Sequence, residues 1–364
     1  MKGSNLFSFA TAELSQDAFL CWLASLASSS DEECARAGKR FLAWLWEKAE
    51  HPGGMPKAAE LDAIYLKRAP VRQFNRIDVL LHAEIAGKPL TFLIEDKTAS
   101  SQHSDQLNRY VAKAKEKFEN VVPIYFKTGY MFGEDLAAAL DNYAVIGLEA
   151  WVEFLTTLTL KNDILADYRE FMADQLRDRK ASIEFLWTPR GYESFDRDYV
   201  QFEFLQRMAN SSPVFPANSA IRRGFNLGGT PWTHLDFKHS FAGGAKDGLF
   251  LRIDKRKADG GEVKYYLSIR QYAEVKGKPA EQEAKRLRLG KYRVLFDESR
   301  KAINSNLQFD VPRADHKGAN ESEIGVLFFN DTTNSTNAVL AEFPAVHGEF
   351  VRRLTSVELA ASQV

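Results

Sequence analysis

Cysteine is nearly absent. Cys21 and Cys34 are the two in 364 residues, and both lie in helix-like surroundings, so neither a disulfide framework nor a cysteine-based zinc site is expected and a reducing cytoplasm fits. Long apolar runs are missing as well. The greasiest early stretch, AFLCWLASLA, is too short to span a bilayer and reads as a buried helix. The N-terminal MKGSNLFSFATAELSQ has no continuous apolar core followed by a small-residue cleavage site, so no secretory signal and no membrane partner are expected. Excess charge of either sign is also lacking: 48 Lys and Arg face 49 Asp and Glu, a formal net charge of −1. That balance argues against a chain that coats nucleic acid by bulk charge, and leaves room for a local basic groove. No fixed-period repeat and no low-complexity tract interrupts the chain.

What is present is an ordinary globular composition, 45% apolar and 27% charged, in a chain whose length favours more than one domain. Apolar residues at helical spacing run from Leu14 to Leu26 and again from Phe41 to Trp46, and HPGGMP at residues 51–56 stops the second helix. Strand-like runs follow at Ala63–Arg68, Arg76–Ile85 and Leu90–Thr98. Ser100 or Ser101 is placed to cap a helix reaching Phe118, with Asp105 in its first turns. VVPIYFKT and YAVIGL read as further strands, with a helix from Glu149. A strand meander, a crossover helix and another strand predict an α/β fold with a mixed sheet. The expected boundaries are a first domain at residues 1–160, a helical segment and loop-rich junction at 161–230, and a C-terminal α+β domain at 231–364. In that last part GLFLRIDKRK and EVKYYLSIRQY read as a hairpin, KYRVLFDE and IGVLFFND as strands, and the stretch from Ala341 as a helix.

The stretch FNRIDVLLHAEIAGKPLTFLIEDKTASS places charges inside two greasy strands, which is unfavourable unless the charges are paired, hydrated or bound to metal. A turn at Gly87-Lys88 sets Asp78 opposite Lys97 and Leu80 opposite Glu95. Opposed residues share a face, as do residues two apart, so Asp78, Glu95 and Lys97 converge while Ile77, Val79, Leu81, Phe92 and Ile94 fill the other face. Alternation sends the Asp96 side chain to that other face. Hard carboxylate oxygens suit Mg²⁺, which accepts substrate phosphate oxygens, and a lysine beside them suits phosphodiester hydrolysis. The plainer alternative is a structural ion pair at the end of a sheet.

RIDVLL followed by FLIEDKT resembles the PD-(D/E)XK nuclease superfamily, in which an aspartate on one strand precedes a Glu-x-Lys on the next. DQLNRYVAKAKEK is similar to the QLxRY helix of one large branch of it, through Gln106, Leu107, Arg109 and Tyr110. Glu13 in TAELSQDAFLCWL matches a glutamate that the family often carries on its first helix. The resemblance covers residues 11–155, with Arg76-Ile77 standing where the family usually has a proline before the aspartate. It implies a restriction-endonuclease-like α-β-β-β-α-β core; Asp78, Glu95, Lys97, Gln106 and Glu13 as catalytic residues; and Asp78, Glu95 and the Asp96 backbone carbonyl as ligands of Mg²⁺, with Mn²⁺ as a substitute. Arg109, Tyr110 and Lys113 are then candidates to bind substrate, DNA before RNA, with a setting in bacterial restriction or antiphage defence. A protein partner or a homo-oligomer is compatible with it. The rival reading is a nuclease fold that has lost catalysis and serves as a DNA-binding or assembly subunit.

Other candidates have plainer explanations beside them. His82 and His103 lack metal-ligand spacing. The basic run KGKPAEQEAKRLRLGKYR and the IRR of residues 221–223 could contact phosphates or form a solvated face. Phe250, Tyr265 and Tyr266 could stack bases or fill a core.

Overall fold

The helical spacing near the N-terminus is realised as α1 (Ala12–Ser25) and α2 (Glu32–Lys48). Asp31 starts α2 by accepting from the Cys34 amide at 2.8 Å, and Glu32 and Glu33 in the first turn with Lys48 in the last complement the helix dipole. The computed structural model describes all residues except 1–4, 10–11, 50–57, 75, 99–105, 136–142, 213–214, 216–219, 239–246, 258–261, 276–277, 316–318 and 362–364. The expected helix cap at Ser100 or Ser101, Asp105, and His103 therefore lie outside the described residues.

The chain divides into two compact units, residues 1–178 and 179–364. The first is α/β around a six-stranded mixed sheet of β1 (Ile64–Leu66), β2 (Val71–Phe74), β3 (Ile77–Ile85), β4 (Lys88–Lys97), β5 (Val121–Lys127) and β6 (Ala144–Gly147). β1, β3, β4, β5 and β6 lie side by side in that order, and β2 pairs with β3. β1, β2 and β4 run antiparallel to β3, whereas β5 is parallel to β4 and β6 parallel to β5. α3 (Gln106–Lys115) precedes β5, and α4 (Leu148–Thr157) follows β6. β4 is buried on both faces from Leu90 to Asp96, as a central strand must be. One face packs Val79, Leu81, Phe92, Ile94 and Phe126 against Leu20 and Leu23 of α1, Phe41 of α2 and Trp151 of α4. The other packs Leu80, Leu93 and Tyr125 against Tyr110 and Ala114 of α3.

Four details differ from the sequence reading in this unit. Ile77 packs with Leu80, Leu93 and Tyr110 rather than on the face of Val79 and Ile94, because it is the first residue of β3, next to the left-handed Arg76, where alternation has not yet set in. The β3–β4 turn is Ala86-Gly87, with φ of 51° and 75° and Ile85 opposite Lys88, so the register sits two residues from the expected one. A two-residue turn with both φ positive matches the twist of the strands it joins. β2 was not expected, because VRQF is too short and too exposed to carry a clear alternation. α3 stops at Lys115 rather than Phe118, although the Phe118 amide still donates to the Ala114 carbonyl at 2.8 Å.

α5 (Asp163–Leu186) carries the chain from the first unit into the second. There α6 (Asp198–Asn210) precedes a five-stranded antiparallel sheet, β7 (Ile221–Phe225), β8 (Pro231–Lys238), β9 (Gly248–Lys257), β10 (Val263–Tyr272) and β11 (Glu321–Phe328), ordered 11-10-9-8-7. α7 (Pro279–Ile303) lies between β10 and β11, and α8 (Thr336–Ala361) ends the unit. KYRVLFDE is part of α7, not a strand, because Leu289, Tyr292, Phe296 and Ser299 form a buried stripe at helical spacing that overrides the β-like composition. The Ser/Asn/Pro/Gly-rich stretch before Pro231 contains β7, and α8 begins at Thr336, before Ala341, and passes through Pro344. Among the described residues no helix is long and apolar enough to cross a membrane.

Candidate active site

The candidate side chains sit at the open end of the β3–β4 hairpin, opposite its turn. The observed register carried one residue past Val79 and Ile94 brings Asp78 beside Glu95. Because it differs from the expected register by two residues, each strand keeps its face, and Asp78, Glu95 and Lys97 meet as the alternation requires. Lys97 Nζ lies 2.7 Å from Glu95 Oε1 and 3.4 Å from Asp78 Oδ2, and it donates to the Asp96 carbonyl at 2.9 Å. The Asp96 amide donates to Asp78 Oδ2 at 2.9 Å, and Gln73 Nε2 of β2 donates to Asp78 Oδ1 at 3.2 Å. Glu13, in the first turn of α1, accepts from the Thr98 amide at 3.4 Å just beyond β4.

Burial dominates the electrostatics. Glu95 is 1% exposed, and burial followed by the Asp78 charge pushes its carboxyl up to about 7 against the opposing pull of Lys97. Burial works against the Lys97 ammonium too, but Glu95, Asp78 and Glu13 outweigh it, so its pKa rises above the ordinary lysine value and it stays charged.

On the opposite face of β4 lies a second acidic pair that the sequence reading missed as a pair. The Asp96 side chain does point away from Lys97; it accepts from Gln16 Nε2 and lies against Asp17 of α1. Gln16 Oε1 in turn accepts from Thr128 Oγ1 at 2.7 Å, tying α1, β4 and the end of β5 together. Asp17 Oδ1 and Asp96 Oδ2 are buried with no hydrogen-bond donor among the described residues. Burial and then Asp78 push Asp17 up to about 6, while burial and then Asp17 raise Asp96 well above the ordinary aspartate value. Two touching carboxyls of this kind are compatible with one shared proton. The available signal was Asp17 itself, a charge on the same helical stripe as Leu20 and Ala24.

The remaining candidates separate. Gln106 opens α3, and its side chain lies outside the described residues. Arg109 and Lys113 are exposed on α3, whereas the Tyr110 ring is buried between Leu93, Ala114 and Tyr125. His82 Nδ1 lies 3.1 Å from Thr91 Oγ1 across the hairpin, and burial followed by Arg68 lowers its pKa. In the second unit four cations of the basic run are engaged internally. Lys285 is buried against Asp315, Arg288 makes a bidentate pair with Asp247, Arg286 pairs with Glu283, and Arg293 donates to the Glu323 carbonyl at 3.0 Å. Arg222 and Arg223 pair with Asp236 and Asp198. Phe250, Tyr265 and Tyr266 are all buried.

The donor set suits a hard divalent cation. Asp78 and Glu95 supply carboxylates and Asp96 a carbonyl, and Mg²⁺ is commonly held by one or two carboxylates and completed by water and substrate. Among the described residues no group of at least three His, Cys, Asp or Glu side chains is placed to hold a metal ion. The chain matches no known protein family, no curated protein and no solved structure.

Proposed function

We propose that the N-terminal unit is a Mg²⁺-dependent nuclease of the PD-(D/E)XK type that hydrolyses phosphodiester bonds, with DNA as its substrate. One observation carries the reading: oxygens of Glu95, Asp96 and Asp78 lie 2.7, 2.9 and 3.4 Å from a single atom, Lys97 Nζ. Two side chains and one carbonyl thus surround one point at the mouth of a hairpin. The order of elements also supports it, since α1 precedes an antiparallel β3–β4 pair and α3 leads to a parallel β5.

In this reading Asp78, Glu95 and the Asp96 carbonyl hold the cation. Bound Mg²⁺ would supply Lewis acidity toward a phosphoryl oxygen and acidify a coordinated water. Glu95 must first lose the proton that burial favours. Lys97 remains protonated and can donate to a phosphate oxygen or orient the attacking water. The Asp96 amide fixes Asp78, and the Gln16–Asp96 bond fixes that segment of β4 from behind. Arg109 and Lys113 are exposed on α3 and are the candidates on that helix to meet the substrate strand, while the buried Tyr110 ring supports the helix from below.

Purified protein incubated with plasmid DNA, single-stranded DNA and RNA should cleave DNA in Mg²⁺ or Mn²⁺ and not in chelator. Asp78→Ala and Lys97→Ala should each lower the rate by about a hundredfold or more. Cleavage that survives both substitutions would remove this site from consideration. Titration calorimetry with Mn²⁺ gives a readout that does not need turnover: Glu95→Ala should lose the binding that the wild type shows.

A further inference from the structure

The proposed site is anionic, and its substrate is a polyanion. Glu13, Asp78 and Glu95 gather at one end of the hairpin around the ammonium of Lys97, with the Asp17 and Asp96 carboxyls behind them on the other face of β4. The basic run in the second unit, which the sequence offered for phosphate contact, is largely engaged by internal acids and carbonyls. Something near Asp78 must therefore offset repulsion of a phosphodiester backbone.

Such cations exist on the β2–β3 hairpin. Arg72 and Arg76 are exposed, and neither makes a hydrogen bond or ion pair among the described residues. Arg72 stands opposite Val79, on the α1 face where Asp17 lies, and Arg76 lies two positions before Asp78. The field of Arg72 reaches the acidic cluster, where it acts on Asp17. Between them Gln73 touches Asp78 Oδ1 at 3.2 Å. Gln73 and Arg76 both adopt left-handed backbone, φ 55° and 72°, a conformation that costs a non-glycine residue on the order of 1 kcal/mol. The chain thus accepts strain in order to turn sharply beside Asp78, and it places an unpaired guanidinium on either side of the contact.

We propose that the β2–β3 hairpin, through Arg72 and Arg76, is the element that grips the phosphodiester backbone of the strand entering the site, with Gln73 coupling that grip to Asp78. The inference rests on the nuclease reading and adds to it a substrate-binding element outside the helix motif. Guanidinium groups suit the task because each can donate two parallel hydrogen bonds to a phosphate. The contact reads backbone rather than sequence.

Fluorescence anisotropy of the full chain with a labelled DNA duplex, a DNA single strand and an RNA of equal length, in chelator and in Ca²⁺, tests it. Arg72→Ala and Arg76→Ala should each make the slope of log affinity against log salt shallower by about 0.9 on duplex and about 0.7 on a single strand, whatever the base sequence. Lys291→Ala, exposed on α7, should leave the slope unchanged. Circular dichroism melts should show all three variants folded as the wild type is. An unchanged slope in the Arg72→Ala/Arg76→Ala double variant overturns the hairpin contact and leaves the nuclease reading standing. Wild-type protein that binds none of the probes overturns both.

Discussion

At the scale of single residues, the most unusual chemistry is the pair Asp17 and Asp96, buried behind the proposed catalytic face with one oxygen of each carboxyl lacking a donor among the described residues. Asp17 has a folded pKa of about 6 against an ordinary 3.8. A raised carboxyl stabilises the fold while it is protonated, and that contribution is lost as pH rises through the folded value. In chelator, Asp17→Asn should therefore melt higher than wild type at pH 8, because the amide can donate to Asp96 without carrying charge, and the advantage should shrink toward pH 5. Equal melting differences at both pH values would refute the buried-acid account. The convergence of Asp78, Glu95 and Lys97 was legible in the sequence because strand alternation is insensitive to a register error of two. The Asp17–Asp96 contact was not legible, since it depends on how α1 docks on β4, and no local pattern encodes that.

At the scale of elements, turns and close approaches explain what the sequence withheld. Ala86 adopts φ of 51°, a region alanine rarely enters, so reading placed the turn one residue late, at Gly87-Lys88. KYRVLFDE looked like a strand by composition and became helix because its buried residues recur at helical spacing. Glycine at helical positions shows how packing reverses a propensity. A Cβ on Gly290 of α7 would meet nothing within 4 Å, so Gly290→Ala should stabilise the second unit by about 0.5 to 1 kcal/mol. A Cβ on Gly38 of α2 would fall 2.1 Å from the Ala27 amide nitrogen, so Gly38→Ala should destabilise the first unit by about 2 kcal/mol or more. Denaturant melts of the two variants should move in opposite directions.

At the scale of the whole molecule, two compact units are present, and the candidate site belongs to the first of them. Ligand binding stabilises what it binds. Hydrogen exchange read by mass spectrometry should show Mn²⁺ raising protection in α1, β3 and β4 and leaving residues 179–364 unchanged; protection gained mainly in the latter would place the cation elsewhere. The α/β character of the first unit was legible from its strand and helix order, whereas the five-stranded sheet of the second was only half legible, because β7 hides in a stretch rich in turn-forming residues and β8, PWTHLDFK, follows it directly and was not expected either. The boundary itself falls inside α5, between Asp178 and Arg179, with Tyr168 and Met172 in the first core and Leu186 in the second. That limits modularity. A protease that needs an extended segment meets continuous helix at the junction, so cutting between Asp178 and Arg179 should require α5 to unwind locally.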